Sequence, residues 1–118
     1  RDMRSKFIRR TPKFDAVVSV FLFHELPFEE RKKVFSEMAR VVRPGGLVAA
    51  IDSLQRDDVP AFNPLLEQFP KDFHEPFYRN YIENPLERHF GESKLTDVRT
   101  RLRFLSKGVR GIKPSGSP

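Results

Sequence analysis

Residues 14–53 carry the pattern of one complete strand–helix–strand unit. The segment reads FDAVVSVFLFHELPFEERKKVFSEMARVVRPGGLVAAIDS, with an apolar run at each end and an amphipathic stretch between them. Apolar residues that follow one another without alternation are typical of a strand buried on both faces, as in a parallel sheet covered by helices. The chain therefore predicts an α/β fold built around a βαβ unit.

The middle of this segment predicts a helix that starts at Pro27 and that Pro44 ends. Proline is suited to the first helical turn, where its missing N–H would have no partner in any case. Apolar residues then recur at helical spacing, and Arg31 is the only polar residue on that face. On the outer face we expect Glu29 to pair with Lys33, four residues further on.

Polar side chains follow both predicted strands. His24 and Glu25 come after the first strand, and Asp52 and Ser53 come after the second. In open parallel sheets, ligands bind outside the carboxyl ends of the strands, so these residues are the first candidates for a site. A neutral imidazole is suited to removing a proton near pH 7, which makes His24 a candidate general base. The alternative is that His24 only orders its loop.

Two motifs at this separation resemble a known enzyme family. FDAVVSVFLFHEL, followed by a helix and then ARVVRPGGLVAAID, is similar to the second half of class I S-adenosylmethionine-dependent methyltransferases. The resemblance is to the type 11-like group that includes the ubiquinone and menaquinone biosynthesis methyltransferases. It covers about residues 14–113. It implies a partial Rossmann-like sheet, with strands four to seven, flanking helices and a closing antiparallel hairpin.

The resemblance also implies S-adenosylmethionine as cofactor and a small molecule as methyl acceptor. Members of the family place cofactor contacts directly after the fourth strand, which here gives Phe21, Leu22, Phe23 and Glu25. Part of the acceptor pocket follows the fifth strand, and the candidates there are Asp52, Ser53, His74 and Tyr78. For each of these residues a structural role, in the strand core, a helix cap or a solvated loop, is the alternative.

The family's glycine-rich cofactor turn is missing from this sequence, which contains no G-x-G motif. Only thirteen residues precede Phe14, where the family pattern has three strand–helix units. We therefore expect a basic segment at 1–13, the C-terminal half of a methyltransferase domain at 14–113, and a disordered tail at 114–118. Alone, such a chain should be weak or inactive without a complementary N-terminal half or self-association.

Composition narrows the remaining classes of function. The chain has no cysteine and three histidines, so no metal site is predicted. No apolar run approaches the roughly 18 residues of a membrane span, and the cytoplasm is the default location. The net charge of +6 comes from basic residues at both ends. Nucleic-acid binding is one interpretation of this charge. Solvated basic tails explain the charge more simply, because base-stacking aromatic residues are not interleaved with the basic residues.

Beyond Asp52 the pattern is less regular. It predicts a short helix through Leu65, Leu66 and Phe69, a connector over 70–76, a helical turn at Tyr78–Ile82 and a helix capped by Asn84. From Val98 to Phe104 apolar residues and threonine alternate with arginine, which predicts a half-buried strand. A turn at Ser106–Gly108 and a return strand would complete the hairpin.

A second function class follows from the expected sheet order. In the family, the strand equivalent to the one at Phe14 pairs with the first strand, which this sequence lacks. An unpaired apolar edge invites the addition of another strand. The alternative to an enzyme is therefore a non-catalytic half-domain that binds a partner through this edge.

Overall fold

A computed structural model describes residues 14–73 and 75–115. The elements in chain order are β1 (Phe14–Val20), a 3₁₀ helix (Phe23–Glu25), α1 (Phe28–Val41), β2 (Val42–Ser53), a second 3₁₀ helix (Pro60–Phe62), α2 (Asn63–Phe73), α3 (Tyr78–Glu83), α4 (Leu86–Glu92), β3 (Thr96–Arg103) and β4 (Ser106–Ile112). The predicted basic segment, His74 and residues 116–118 lie outside the described residues.

The four strands form one sheet in the order β1-β2-β4-β3. β1 and β2 are parallel and are joined through α1, whereas β4 pairs antiparallel with both β2 and β3. The predicted α/β fold, with one βαβ unit and a closing antiparallel hairpin, is confirmed. β1 lies at one edge of the sheet, and β3 lies at the other.

The Gly45-Gly46 pair allows β2 to follow α1 without an intervening loop. The helix ends before the predicted stop at Pro44, which lies within β2. Gly45 has a φ of +83°, and a Cβ on Gly46 would come within 2.6 Å of Val42 Cγ2 and 2.7 Å of the Asp15 carbonyl oxygen. Only glycine therefore lets β1 approach this segment, and the strand register shifts there before regular pairing begins.

The hydrophobic core lies on one face of the sheet. Along β2, Val48 and Ala50 are buried while their neighbours are less so, which is the alternation of a strand covered on one side. Phe35 of α1 and Phe90 of α4 meet above this face with ring centroids 4.7 Å apart. Fully burying an aromatic or aliphatic side chain of this size contributes about 1.5–3 kcal/mol, so this layer supplies much of the favourable free energy of folding.

The hairpin turns earlier than the sequence pattern predicts. Phe104 and Leu105 form the turn, and the predicted turn residues Ser106–Gly108 belong to β4. Lys107 is consequently a buried strand residue, whose Nζ donates to Asp58 Oδ1 at 2.9 Å and Glu87 Oε1 at 3.1 Å. The prediction failed because those carboxylates come from distant parts of the chain.

The prediction of a half-buried β3 is wrong, since all eight of its residues are exposed. β3 is an edge strand, and the short helix α4 contacts it without burying any of its residues. Its side chains therefore have little cover on either face, and the alternating pattern reflects only the sheet's pleat.

The helix predicted near Leu65 is longer than expected. α2 continues through Pro70, in the segment predicted to be a connector. Leu66 is buried, and the ring of Phe69 lies 4.8 Å from that of Tyr78 between centroids. The packing of Leu66 and Phe69 outweighs the loss of the backbone hydrogen bond that Pro70 cannot donate.

Two predictions about helix surfaces are also wrong. The Asn84 side chain donates to the Asn80 carbonyl oxygen at 2.7 Å, within the preceding turn, and does not cap α4. On α1 the charged pairs form three residues apart, with Lys32–Glu29 at 3.9 Å and Lys33–Glu30 at 3.7 Å. Both spacings bring side chains together on a helix, and exposed pairs of either kind contribute little.

Substituting two glycines tests the packing at the start of β2. Gly46→Ala should lower the free energy of unfolding by about 1–3 kcal/mol, since its Cβ would overlap β1 backbone. Gly91→Ala is the matched control, because nothing lies within 4 Å of that Cβ and alanine favours the helix by about 0.5–1 kcal/mol. The measurement is urea unfolding followed by circular dichroism. A Gly46→Ala variant as stable as Gly91→Ala would contradict the described approach of β1 to β2.

Candidate functional site

His24 and Asp52 are in direct contact at the carboxyl ends of β1 and β2. His24 Nδ1 lies 2.8 Å from Asp52 Oδ1, and the carboxylate is completely buried. The backbone N–H groups of Phe23 and Ser53 donate to the same carboxylate at 2.9 Å and 2.8 Å. Three hydrogen bonds therefore fix the Asp52 side chain, and through it the His24 ring.

A sharp backbone turn at Phe21 produces this arrangement. Phe21 follows β1 with a φ of 53°, and its N–H donates to the Ile51 carbonyl oxygen at 2.7 Å. This left-handed conformation is costly for a bulky residue, about 1–3 kcal/mol. It directs the chain into the 3₁₀ helix that carries His24. Backbone strain of this kind is often found at ligand sites.

The pairing with Asp52 sets the charge behaviour of His24. The hydrogen bond that the His24 ring donates to Asp52 raises the pKa of His24, and partial burial opposes that rise. Because Nδ1 faces the carboxylate, the neutral ring carries its proton there and keeps a lone pair on Nε2. Glu25 Oε2 lies 3.6 Å from Nε2, and 17% of the His24 side chain is exposed. The free nitrogen is thus turned away from Asp52 toward the rim of the site.

Two tyrosines of α3 complete the surroundings of His24. The Tyr78 hydroxyl lies 2.5 Å from Ser53 Oγ, and the Tyr81 hydroxyl donates to the Ser53 carbonyl oxygen at 2.5 Å. Both rings meet the His24 ring edge-on, with centroids 6.0 and 6.3 Å apart. Burial raises the pKa of both phenols, so both stay neutral and can donate hydrogen bonds. Tyr81 was not predicted as a site residue, although it lies one turn from Tyr78.

Arg31 holds the two sides of the site together from behind. The side chain is fully buried, and Nε donates to the Leu26 carbonyl oxygen at 3.0 Å while NH2 donates to Asn80 Oδ1 at 2.8 Å. Leu26 follows the 3₁₀ helix of His24, and Asn80 lies on α3 beside the tyrosines. The guanidinium also lies 5.9 Å from the Tyr81 ring centroid. The single polar residue on the apolar face of α1 is thus a structural link between the loop and α3.

The structure distributes the predicted cofactor residues between surface and core. Phe21 and Leu22 are exposed after β1, and so is Glu25. Phe23, in contrast, is fully buried with its ring centroid 6.2 Å from that of Phe35, so its ring belongs to the core. Of the predicted substrate residues, Asp52, Ser53 and Tyr78 meet around His24. His74 lies outside the described residues.

No helix of the described residues is both long and apolar enough to cross a membrane.

The family model for a methyltransferase domain matches residues 8–50, which is less than half of the chain. The match covers β1, the loop that carries His24, α1 and most of β2. No curated protein sequence matches the chain.

Solved methyltransferase structures share the fold. An O-methyltransferase family protein from Burkholderia thailandensis aligns with 98% of this chain and 34% of its own, at 18% identity and a TM-score of 0.69. Human N-acetylserotonin methyltransferase, in complex with S-adenosylmethionine, aligns with 89% of this chain and 31% of its own, at 12% identity and a TM-score of 0.66.

A third match is phosphoethanolamine N-methyltransferase 2 from Haemonchus contortus, in complex with S-adenosylmethionine. It aligns with 86% of this chain and 33% of its own, at 14% identity and a TM-score of 0.54. The chain therefore spans about a third of the length of these three structures.

The predicted resemblance to S-adenosylmethionine-dependent methyltransferases is thereby confirmed. The chain is similar to the methyltransferase domain family in sequence over residues 8–50, and it has the fold of part of a Rossmann-like methyltransferase.

Proposed function

We propose that the chain is the acceptor-side part of an S-adenosylmethionine-dependent methyltransferase, in which His24 and Asp52 form the acid–base pair. The observation that carries the proposal is the 2.8 Å contact between His24 Nδ1 and Asp52 Oδ1. It lies at the carboxyl ends of two parallel strands, where ligands bind in folds of this class.

The residues present fit one side of such a cofactor. Phe21 exposes 48% of its surface beside Leu22, which offers an apolar contact for an adenosyl group. The exposed carboxylate of Glu25 can accept hydrogen bonds from hydroxyl groups or attract a positive charge. When bound, S-adenosylmethionine supplies an electrophilic methyl group. These three residues would hold it at the loop after β1.

The chain's own residues would prepare the acceptor. His24 Nε2 carries the lone pair that takes the proton from an acceptor hydroxyl, amine or acidic carbon. Asp52 keeps the ring in the required tautomer and stabilises the imidazolium that forms. Ser53 and Tyr78 can position a small acceptor through their hydroxyl groups, and the choice between oxygen, nitrogen and carbon depends on that acceptor. Positioning accounts for most of the catalysis in a reaction of this type.

A complementary N-terminal half belongs to the proposal. Cofactor binding in this family depends on a glycine-rich turn that the sequence lacks, and the chain spans about a third of the similar structures. β1 is an edge strand whose Val18 and Val20 are 53% and 59% exposed. We propose that another strand pairs there in a cytoplasmic enzyme, and that the isolated chain is weak or inactive.

The same edge favours a second candidate function. A half-domain that only binds a partner would also use β1, but it would not need His24 beside Asp52 or an exposed Phe21. The two candidates therefore differ in whether S-adenosylmethionine binds at the loop after β1.

Replacing Phe21 separates cofactor contact from folding. Phe21→Gly should weaken binding of S-adenosylmethionine about tenfold or abolish it, since the aromatic contact is lost, while the fold is retained because glycine accepts the φ of 53° without strain. Lys94→Gly is the matched control, since Lys94 has a φ of 61° in the turn between α4 and β3, at the opposite end of the sheet. Calorimetric titration measures binding, and thermal melting measures stability. Equal affinities for the two variants would contradict the proposed contact.

The titration of His24 tests its pairing with Asp52. By proton NMR, the His24 ring should titrate above 6.5, and Asp52→Asn should lower its pKa, because the hydrogen bond is the main cause of the rise. The buried His89 is an internal control, since burial lowers its pKa below 6.5. A His24 pKa that is unchanged by Asp52→Asn would contradict the pairing.

The same pair predicts a pH-dependent contribution to stability. Because the folded pKa of His24 is raised, the contribution is complete below the unfolded value of 6.5 and is lost as pH rises through the folded pKa. His24→Gln should therefore lower the melting temperature more at about pH 5.5 than at about pH 8.5. An equal loss at both values would argue against a charged pair.

A further inference from the structure

One face of the sheet, opposite the helices, is uncovered among the described residues. We call it the bare face. Its apolar part consists of Val18 and Val20 of β1 beside Ala49 and Ile51 of β2, which the register pairs directly. The two valines are more than half exposed, and Ile51 is 39% exposed. Parallel strands are usually buried on both faces, so this apolar surface is unusual for a parallel pair.

The other part of the bare face is basic. Arg110 of β4 lies opposite Ala49, and Arg99 of β3 lies opposite Arg110. Arg101 lies beside them, and together with Ala49 and Ile51 these side chains line a concavity of about 450 Å³. Arg99 pairs with Asp97 at 2.9 Å. Neither Arg101 nor Arg110 has an ion-pair partner among the described residues.

The apolar and basic parts of the bare face indicate the shape of the element that would cover them. A face of parallel strands is covered by helices in α/β folds, because a helix buries one apolar stripe against the sheet. Ala49 and Gly108 carry little or no side chain, which leaves a shallow channel between the valines and the arginines. The apolar stripe of a helix can cover a surface of this kind, whereas an added strand would pair at the edge of β1 and leave the face uncovered.

The arginines of the bare face indicate the charge of the element that would cover it. Arg99 and Arg110 are directly opposite each other on one face, and like charges in that position destabilise a sheet. Acidic residues above them would remove this repulsion and pair with Arg101 as well. We propose that the bare face binds an amphipathic α-helix whose apolar side covers Val18, Val20 and Ile51 and whose acidic flank pairs with Arg101 and Arg110.

The helix would belong to the complementary N-terminal half, so its source rests on the proposed function. The binding of the helix does not rest on the proposed function, because none of the bare-face residues contacts His24 or Asp52 in the hydrogen bonds described above. A failure of S-adenosylmethionine binding and a failure of helix binding are therefore separate results.

The test uses three fluorescent amphipathic helical peptides of about 18 residues, a length of about five turns. One carries glutamates along one flank, the second carries glutamines there, and the third carries the glutamates on the side away from the apolar stripe. By fluorescence anisotropy with the full chain, the first should bind about tenfold more tightly than the others at low salt. The difference should shrink as salt is added, since salt screens exposed pairs.

Matched variants locate the binding face. Arg110→Gln and Val20→Ser should each weaken binding of the first peptide several-fold, and both positions are exposed, so the fold should be retained. Arg88→Gln is the control, because Arg88 is exposed on α4, on the covered side of the sheet. It should leave the affinity unchanged.

Three outcomes would overturn the proposal. The first is no binding of the glutamate peptide to a soluble monomer. The second is equal affinity for the glutamate and glutamine peptides, or for Arg110→Gln and Arg88→Gln. The third is a dimer on a sizing column that Val20→Ser dissociates, which would assign the bare face to a second copy of the chain.

Discussion

The arrangement at the carboxyl ends of the parallel strands depends on the buried carboxylate of Asp52. It accepts hydrogen bonds from Phe23 N–H, Ser53 N–H and the His24 ring. Each buried donor left without a partner costs about 1–3 kcal/mol, so the loop after β1 and the end of β2 depend on one side chain. The same carboxylate sets the tautomer and the raised pKa of His24. Asp52 therefore both stabilises the local structure and takes part in the proposed chemistry.

The helices that pack around this site cover only one face of the sheet among the described residues. The core of the described residues lies on one face, where the buried side chains of Arg31 and Lys107 join distant segments through hydrogen bonds. Among the described residues, the opposite face carries apolar side chains and two arginines without ion-pair partners, Arg101 and Arg110, and β1 is an edge strand. The proposed acceptor-side site, next to a sheet face that the described residues leave uncovered, is the physical basis for proposing a complementary half. The face and the edge would bind different elements of that half.

Local pattern was sufficient to predict the parts of the fold that short segments determine. The run from Phe14 to Ser53 predicted β1, α1 and β2, since apolar periodicity there reflects burial directly. It also placed His24 and Asp52 at the same sheet edge. It did not predict their hydrogen bond, the buried Lys107, the role of Tyr81 or the turn at Leu105. Those features depend on contacts between segments far apart in the chain, and no local pattern encodes them.

The measurement that tests the central claim most directly is a map of where S-adenosylmethionine contacts the chain. Two-dimensional NMR of the ¹⁵N-labelled protein, with cofactor added to high concentration, gives this map even for weak binding. The account predicts shifts concentrated at residues 21–25 and at Asp52 and Ser53, larger than those caused by methionine alone. Shifts confined to the arginines of the bare face, or no shifts after β1, would contradict it.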